Sequence, residues 1–594
     1  MQIERRESGE LILTSGYALD SLPKSLAQIM VERVQAHPSR SIICEKSSTG
    51  EFESLSYGDA HLRAMGVATH LLAQGANEQT PLMILSGASR AHFIVQLGAL
   101  YARVPVVPVS ISYTTVEPAF SKFRAVFDKT QPKYLFAESF DLHEEALNAS
   151  DISLNDVSLW SVARSEIGAR EITQLDSLLA LVDEAAVEAS IQAITRNTVA
   201  KYMFTSGSTG MPKGVIHNHG MMCALIAAQK MLREISDDLA PVVLDWMPWS
   251  HVGAGQMRLF GTIAQGGTIY LDDGKPTAAD YPKTLANLRK VSITGYAGAP
   301  LGWSMLVAAL EGDEALAEQF FANLQTLQYG SAAMPTSTYE RLQTLLVKYQ
   351  GARKTMSTSL MSTEVALGLS RYWPCEDQTV VGLPMPGSCF KLVPVADRYE
   401  IRAKSLGVTP GYINDAEKTR DAFDEEGFFR MGDAVTFADP ERPEAGLRFA
   451  GRIAEQFKMT TGAWVSAGTL RAQLVAALAP IARDVVIGGL NQSYIAIMIW
   501  LNEPQEVDAG PADRALVDDQ TLEEIRILLR KHNDANPASS QRVDRFLIMA
   551  EPANIGAGEV TDKGYVNQGA VLSRRSQLLD RLYDESLTEG VYPV

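Results

Sequence analysis

Cysteine is scarce in this chain: Cys44, Cys223, Cys375 and Cys389 are the four cysteines in 594 residues, far apart and without paired spacing. That excludes a disulfide framework and a cysteine-built zinc site, and it suits a reducing compartment, so a cytoplasmic location is expected. Long apolar runs are missing as well. No window of about 18 uninterrupted apolar residues occurs, so no transmembrane helix is expected. The first ten residues are charged and lack the apolar core of a secretory signal. Positive charge is the minority sign, with 53 Lys and Arg against 70 Asp and Glu, a net charge of −17. This opposes nonspecific attraction to nucleic acid or to an anionic membrane, so neither is an expected partner, and any polyanionic ligand needs a local basic patch. There is no internal repeat and no low-complexity tract.

What is present is an ordinary globular composition, 46% hydrophobic and 21% charged. The length exceeds the usual domain of roughly 100 to 200 residues several times over, so more than one core is expected. Helical patterns alternate with short β-branched runs, which points to layered α/β architecture. Leu82–Leu85 reads as a buried strand, His92–Tyr101 as the following helix and Val104–Val109 as the next strand, one βαβ unit. Pro241–Asp245, a helix after Gly255 and Thr268–Leu271 read the same way. From about Gly382 to residue 450, short strands with Gly, Pro and Asp turns predict a β-rich subdomain. A boundary is expected near residues 452–456, which places a large domain over 1–453 and a small α+β domain over 454–594, with a helix at Gly468–Leu474 and a strand at Ser493–Trp500. Asn502 to about Gln520 reads as an exposed loop.

The run Thr205-Ser206-Gly207-Ser208-Thr209-Gly210-Met211-Pro212-Lys213-Gly214 lies between strand-like Val199–Phe204 and Val215–Ile216. Glycines allow backbone N–H groups to converge on an anion, and four hydroxyls with one ammonium add donors, so the loop is suited to phosphate. It does not fit the Walker pattern G-x-x-x-x-G-K-S/T, because only two residues separate Gly210 from Lys213 and Gly214 follows that lysine. A mobile Ser/Gly linker would not sit between two strands or end in Pro-Lys-Gly. Ser206 to Gly214 resembles the signature of the AMP-forming acyl-CoA synthetase, nonribosomal adenylation domain and luciferase superfamily. The resemblance implies a loop that grips ATP phosphates and a small C-terminal domain that swings between two half-reactions.

Further segments resemble that superfamily in the expected order. Ser359-Leu360-Met361-Ser362-Thr363-Glu364 stands where it has Tyr-Gly-x-Thr-Glu. This implies Thr363 near the α-phosphate and Glu364, with Thr209, as oxygen ligands of Mg²⁺, which prefers hard donors and bridges phosphates. Leu360 and Met361 depart from the pattern, so aromatic stacking on adenine is not expected. Met431-Gly432-Asp433, preceded by Gly411-Tyr412 and Gly427-Phe428-Phe429, implies Asp433 as acceptor of the ribose hydroxyl protons. Gly451-Arg452 resembles the interdomain linker, which implies that Arg452 contacts ribose or phosphate and that Ala454 is the hinge, where relatives have Asp or Lys. Lys458 is a candidate for a lysine facing the nucleotide in one conformation. Lys563, in Glu559–Gln568, is the candidate for the catalytic lysine that meets charge developing on the carboxylate and α-phosphate. Asp245–Gly253 resembles the Leu-Pro-x-x-His-x-x-Gly segment, which implies that His251 lies between the acyl pocket and the thiol route in a positioning role. Gly298 and Ala299 correspond to an acyl-pocket strand, and Gly330, Ser331 and Ala332 to an adenine-binding segment. Trp249, Tyr296 and Met361 are pocket-wall candidates, though such side chains serve equally often as core.

The opening Arg5–Leu26, Met247–His251, Gly451–Glu455, Phe457–Ser466 and Thr561–Gln568 resemble feruloyl-CoA synthetases in particular. That implies an acid:CoA ligase taking a hydroxycinnamate such as ferulate, with ATP, Mg²⁺ and CoA. The alternatives left open are an acyl-CoA synthetase for other aryl or medium-chain acids, an adenylating enzyme that loads a carrier protein, and a binding protein that kept the fold without the chemistry. The oligomeric state is open, with a homodimer among the options.

Overall fold

The computed structural model of the chain describes residues 1–594 except 20, 164–166, 168–169, 207–210, 233–239, 278, 480, 503–505, 508–514, 555–556, 561–565 and 585–589. The expected βαβ unit is present. Leu82–Ile84 and Val106–Pro108 run parallel, joined by the helix Arg90–Tyr101, whose first turn is capped by the Ser89 side chain accepting from the His92 N–H. These strands belong to a seven-stranded sheet ordered Pro212–Asn218, Val199–Ser206, Val106–Pro108, Leu82–Ile84, Tyr134–Ala137, Ser158–Ser161, Ile172–Gln174. Its apolar strands are buried on both faces by helices, as parallel strands require.

A second sheet of fifteen strands holds the parallel run Thr268–Leu271, Val242–Asp245, Gly295–Gly298, Thr326–Tyr329 and Met356–Leu360, in that spatial order. From Val242–Asp245 the chain steps one way to Thr268–Leu271. From Gly295–Gly298 it steps the other way to Met356–Leu360. The order therefore reverses between Val242–Asp245 and Gly295–Gly298, and the carboxyl ends of parallel strands at such a switch point form a ligand crevice. Beyond Met356–Leu360 the sheet turns antiparallel through Leu369–Arg371, Val380–Pro384, Leu447–Arg452, Phe429–Phe437, Arg398–Lys404 and Cys389–Val395. It ends on the N-terminal hairpin Gln2–Arg5 and Leu11–Thr14, which the sequence reading did not place in a sheet.

The helix expected after Gly255 begins earlier and in a different form. A π-helical turn, Gly253–Arg258, leads into the α-helix Leu259–Ala264. Gly255 sits so close to the preceding segment that a Cβ there would lie 2.0 Å from the Trp249 carbonyl oxygen, so the backbone itself packs where a side chain would otherwise be.

The chain passes from Leu447–Arg452 through the 3₁₀ turn Ile453–Glu455 into a hairpin, Gln456–Lys458 with Trp464–Ser466, and then into a small α+β domain. That domain has a four-stranded sheet, Ala482–Gly488, Ile495–Leu501, Val543–Ile548 and Val591–Pro593, with the helices Ala467–Ala477, Asp519–Ala535, Gln568–Arg574 and Ser576–Tyr583 packed on it. Of the expected loop from Asn502 to Gln520, residues 503–505 and 508–514 lie outside the described residues. Glu506–Val507 and Ala515–Leu516 pair as a short ladder. No described helix is long and apolar enough to cross a membrane.

Candidate functional site

The strands that flank the phosphate loop candidate pair as an antiparallel hairpin. Val199–Ser206 pairs with Pro212–Asn218 so that Thr205 faces Lys213 and Ser206 faces Pro212. Gly207, Ser208 and Thr209 lie outside the described residues. The base of the hairpin is gripped from the β-rich side: the Ile413 N–H donates to the Gly214 carbonyl at 2.8 Å, and the Ile216 N–H donates to the Gly411 carbonyl at 3.0 Å. Gly214 makes the approach possible, since a Cβ there would be 2.5 Å from the Ile413 side chain.

This contact brings Tyr412 beneath the loop lysine. The Lys213 ammonium stands 5.8 Å from the Tyr412 ring centroid. The Tyr412 hydroxyl donates to Glu364 Oε1 at 3.0 Å, and burial together with that carboxylate pushes the phenol pKa upward. Glu364 is held in turn by the Thr409 N–H, which donates to its carbonyl at 2.8 Å. Thr363 precedes it, half-buried, in the turn closed by Ser362 and Val365. A cation, a phenol and a carboxylate from three distant segments thus line one edge of the hairpin. Tyr412 was absent from the candidate residues; the Gly411-Tyr412 pair was its only sequence signal.

Asp433 lies on the strand Phe429–Phe437 of the larger sheet, 6% exposed. It pairs in register with Arg452, whose Nε is 3.7 Å from Asp433 Oδ1 and whose side chain is otherwise open to solvent. Burial raises the Asp433 carboxyl to about 6; Arg452 opposes that rise, and Glu455 and Glu364 add to it. A buried carboxylate kept beside one exposed arginine, with further acids nearby, favours a ligand that brings hydroxyl donors. Lys458 is exposed on the small-domain hairpin, and among the described residues no hydrogen bond or ion pair joins its side chain to the phosphate hairpin. Ala454 lies in the 3₁₀ turn between the domains. Lys563 lies outside the described residues, which include its flanking Val560 and Val566, paired as an isolated bridge.

The acid-pocket and adenine-segment candidates follow the carboxyl ends of the parallel strands of the larger sheet. Gly298 and Ala299 end one central strand, and Gly330, Ser331 and Ala332 end its neighbour, with the Gly330 N–H donating to the Gly298 carbonyl at 3.3 Å. Ser331 is a non-glycine residue with φ of +73°, a strained backbone of the kind that persists at ligand-facing turns. Met361 follows the next strand and packs with the cluster of Met221, Leu225 and Met385. Trp249 and Tyr296 are packed in the core. Trp249 is 2% exposed with its ring edge-on to His92, and Tyr296 is 7% exposed, edge-on to Trp303 and Phe320. His251 is half-buried, and its Nδ1 accepts the Gly253 N–H at 3.2 Å. No group of three or more His, Cys, Asp or Glu among the described residues is arranged to hold a metal by protein ligands alone.

The sequence profile of the family described as AMP-binding enzyme matches residues 30–413. A 3-[(3aS,4S,7aS)-7a-methyl-1,5-dioxo-octahydro-1H-inden-4-yl]propanoyl:CoA ligase of Rhodococcus jostii is 24% identical over 397 residues, 65% of this chain and 72% of that one. A carboxylic acid reductase of Mycobacterium marinum is 23% identical over 588 residues, covering 90% of this chain but 47% of the reductase. The fold is that of the adenylation domain of the Segniliparus rugosus carboxylic acid reductase solved with AMP and a co-purified carboxylic acid, with a TM-score of 0.71 and 19% identity, covering 95% of each chain. The match over well more than half its length shows that this chain belongs to the AMP-binding enzyme family, as an adenylate-forming enzyme that activates an acid.

Proposed function

We propose that this chain activates an aryl carboxylic acid of the hydroxycinnamate type, such as ferulate, as its acyl-AMP and then passes the acyl group to CoA. The observation that carries this reading is the gathering of Lys213, Tyr412 and Glu364 on one edge of the phosphate hairpin, with Asp433 and Arg452 paired on two strands of the other sheet. A carboxylate oxygen of the acid attacks the α-phosphorus of ATP, and the bond to pyrophosphate breaks. Negative charge shifts onto the leaving group, so cations placed along the polyphosphate lower the barrier. Lys213 and the loop donors Thr205, Ser206, Gly207, Ser208 and Thr209 meet the phosphates. Asp433 accepts the ribose hydroxyls and Arg452 supports them. Gly330, Ser331 and Ala332 form the shelf for adenine, and Thr363 stands by the α-phosphate.

Mg²⁺ fits this set. Tyr412 engages Glu364 Oε1, and Glu364 Oε2 with the Thr209 hydroxyl would be the hard oxygens that hold the ion. Such an ion supplies positive charge at the phosphates. Gly298, Ala299 and Met361 border the acid, with Trp249 and Tyr296 as buried support and His251 at the entrance. Rotation about Ala454 then exchanges the small-domain face, with Lys563 serving the first half-reaction and Lys458 facing the nucleotide in one of the two arrangements. The four free cysteines support a reducing, cytoplasmic setting.

The hydroxycinnamate reading rests on the feruloyl-type segments of the sequence. Transfer to a carrier protein is the second reading, favoured by the likeness to the A-PCP didomain of the Segniliparus rugosus carboxylic acid reductase. AMP release measured over hydroxycinnamates, benzoates and medium-chain acids, with CoA or a carrier protein as acceptor, separates them. Lys563→Ala is expected to abolish acid-dependent ATP–pyrophosphate exchange, a barrier increase of roughly 2.7 to 4 kcal/mol, while thiolysis of preformed acyl-AMP continues. Unchanged exchange would remove Lys563 from the mechanism.

A further inference from the structure

The strand that leads into the phosphate loop carries a lysine where a core residue belongs. Lys201 is fully buried in the middle of Val199–Ser206, paired with Val106 on one side and His217 on the other. Its Nζ donates to the Gly255 carbonyl at 2.8 Å and stands 5.0 Å from the Phe260 ring centroid. Burial lowers the amine pKa to about 7, and burial likewise holds the neighbouring His92 and His217 down at about 4, so both imidazoles are neutral. An amine kept at such a cost in a strand interior needs a specific partner, and the Gly255 carbonyl is that partner.

His217, opposite Lys201 across the hairpin, makes a second tie to the same turn. Its Nδ1 is hydrogen-bonded to Gln256 Oε1 at 2.8 Å, and its ring lies against the Thr363 backbone. Both strands of the phosphate hairpin therefore hold successive residues, 255 and 256, of the π-helical turn. That turn leads straight back to the acid side: the Gly255 N–H donates to the His251 carbonyl at 2.8 Å, and the Gly255 backbone packs on the Trp249 carbonyl. At the far end of the turn Arg258 donates to the buried Asp245 carboxylate at 2.5 Å, so the segment is clamped at both ends.

We infer that Lys201, seconded by His217 through Gln256, is a positioning residue that locks the His251 turn to the base of the phosphate hairpin and so sets the acid-binding face in register with the nucleotide. The inference deepens the proposed function and rests on its placement of the acid beside His251. The ties run from strand side chains to one backbone carbonyl and one amide, so their loss lets the turn shift without opening the hairpin. Misplacement of about 1 Å at a reacting centre is enough to cost up to about a hundredfold in rate.

The test uses the full chain carrying Lys201→Met, read in two ways. In acid-dependent ATP–pyrophosphate exchange the variant is expected to keep its KM for ATP within about twofold, while kcat/KM for the acid falls at least about tenfold. In hydrogen–deuterium exchange, peptides covering 251–258 lose protection in the variant while those covering 199–206 keep it. Equal acid kinetics and equal protection of 251–258 would overturn the inference, as would equal losses for ATP and acid. Gln256→Leu removes only the His217 tie; if Lys201→Met does not fold, this variant is expected to give the same pattern in smaller measure, and an unchanged pattern overturns the inference. A wild type silent toward every acid would refute the activating reading, and the exchange protection of 251–258 would then decide the positioning role by itself.

Discussion

Asp433 holds its carboxyl at about 6 against an ordinary 3.8, because burial disfavours the charged form more than Arg452 restores it. The folded chain therefore binds this proton more tightly than the unfolded chain. The stability that results is complete below the unfolded value and is lost as the pH rises through 6, so at neutral pH the ligand-free protein carries a buried carboxylate. Asp433→Asn is expected to stabilise the free protein by roughly 1 to 3 kcal/mol at pH 8 and by little at pH 3, while weakening AMP binding. Denaturation midpoints at the two pH values check this; a gain of equal size at both would rule out ionisation as its source. Asp433 was legible in sequence because its chemistry travels with a Gly-Asp pair. Tyr412 and Lys201 were not, since an aromatic residue and a strand lysine acquire meaning only from Glu364 and Gly255, far away in the chain.

The phosphate hairpin is local in sequence and its two strands were legible from β-branched runs on either side of the loop. What holds it is not local. Gly214 faces Ile413 across a gap that leaves no room for a methyl group. Gly214→Ala is expected to cost roughly 1 to 3 kcal/mol by overpacking and to displace Tyr412 from Lys213. The resulting loss of ATP-induced stabilisation is measured as the shift in thermal midpoint with nucleotide. A variant that unfolds at the wild-type temperature and keeps the full nucleotide shift would show that the contact yields. The π-helical turn at Gly253–Arg258 was read as plain helix, because helical periodicity does not distinguish one hydrogen-bond spacing from the next. Its form depends on Gly255 meeting the Trp249 carbonyl and on Lys201 reaching in from another sheet.

At the scale of the molecule the β-rich sheet is finished by the other end of the chain. Leu11–Thr14 pairs with Cys389–Val395, and Leu11 and Leu13 are buried with Phe390 and Leu392. Removing residues 1–16 would uncover those apolar contacts, worth about 1.5 to 3 kcal/mol for each leucine, and would leave Cys389–Val395 as a bare edge strand. The truncated protein is expected to melt at a lower temperature and to scatter light on warming, whereas unchanged melting and clear solutions would mean that the hairpin contributes little. The N-terminal strands could not be placed from sequence, because their pairing spans more than 370 residues and carries only an ordinary short alternation of apolar side chains.

By itself the sequence determined the class of fold and singled out the candidate phosphate loop, since strand and helix periods are short-range properties and an anion-binding pattern is written in consecutive residues. It also supplied the order in which Glu364, Asp433 and Arg452 follow that loop. Only the tertiary structure decided which groups meet. It placed Tyr412 between Lys213 and Glu364, buried Asp433 deeply enough to move its proton, packed Trp249 and Tyr296 into the core, and tied the His251 turn to Lys201. Each of these depends on strands from distant segments being hydrogen-bonded side by side, and the free energy of such contacts exists only once the sheets have formed.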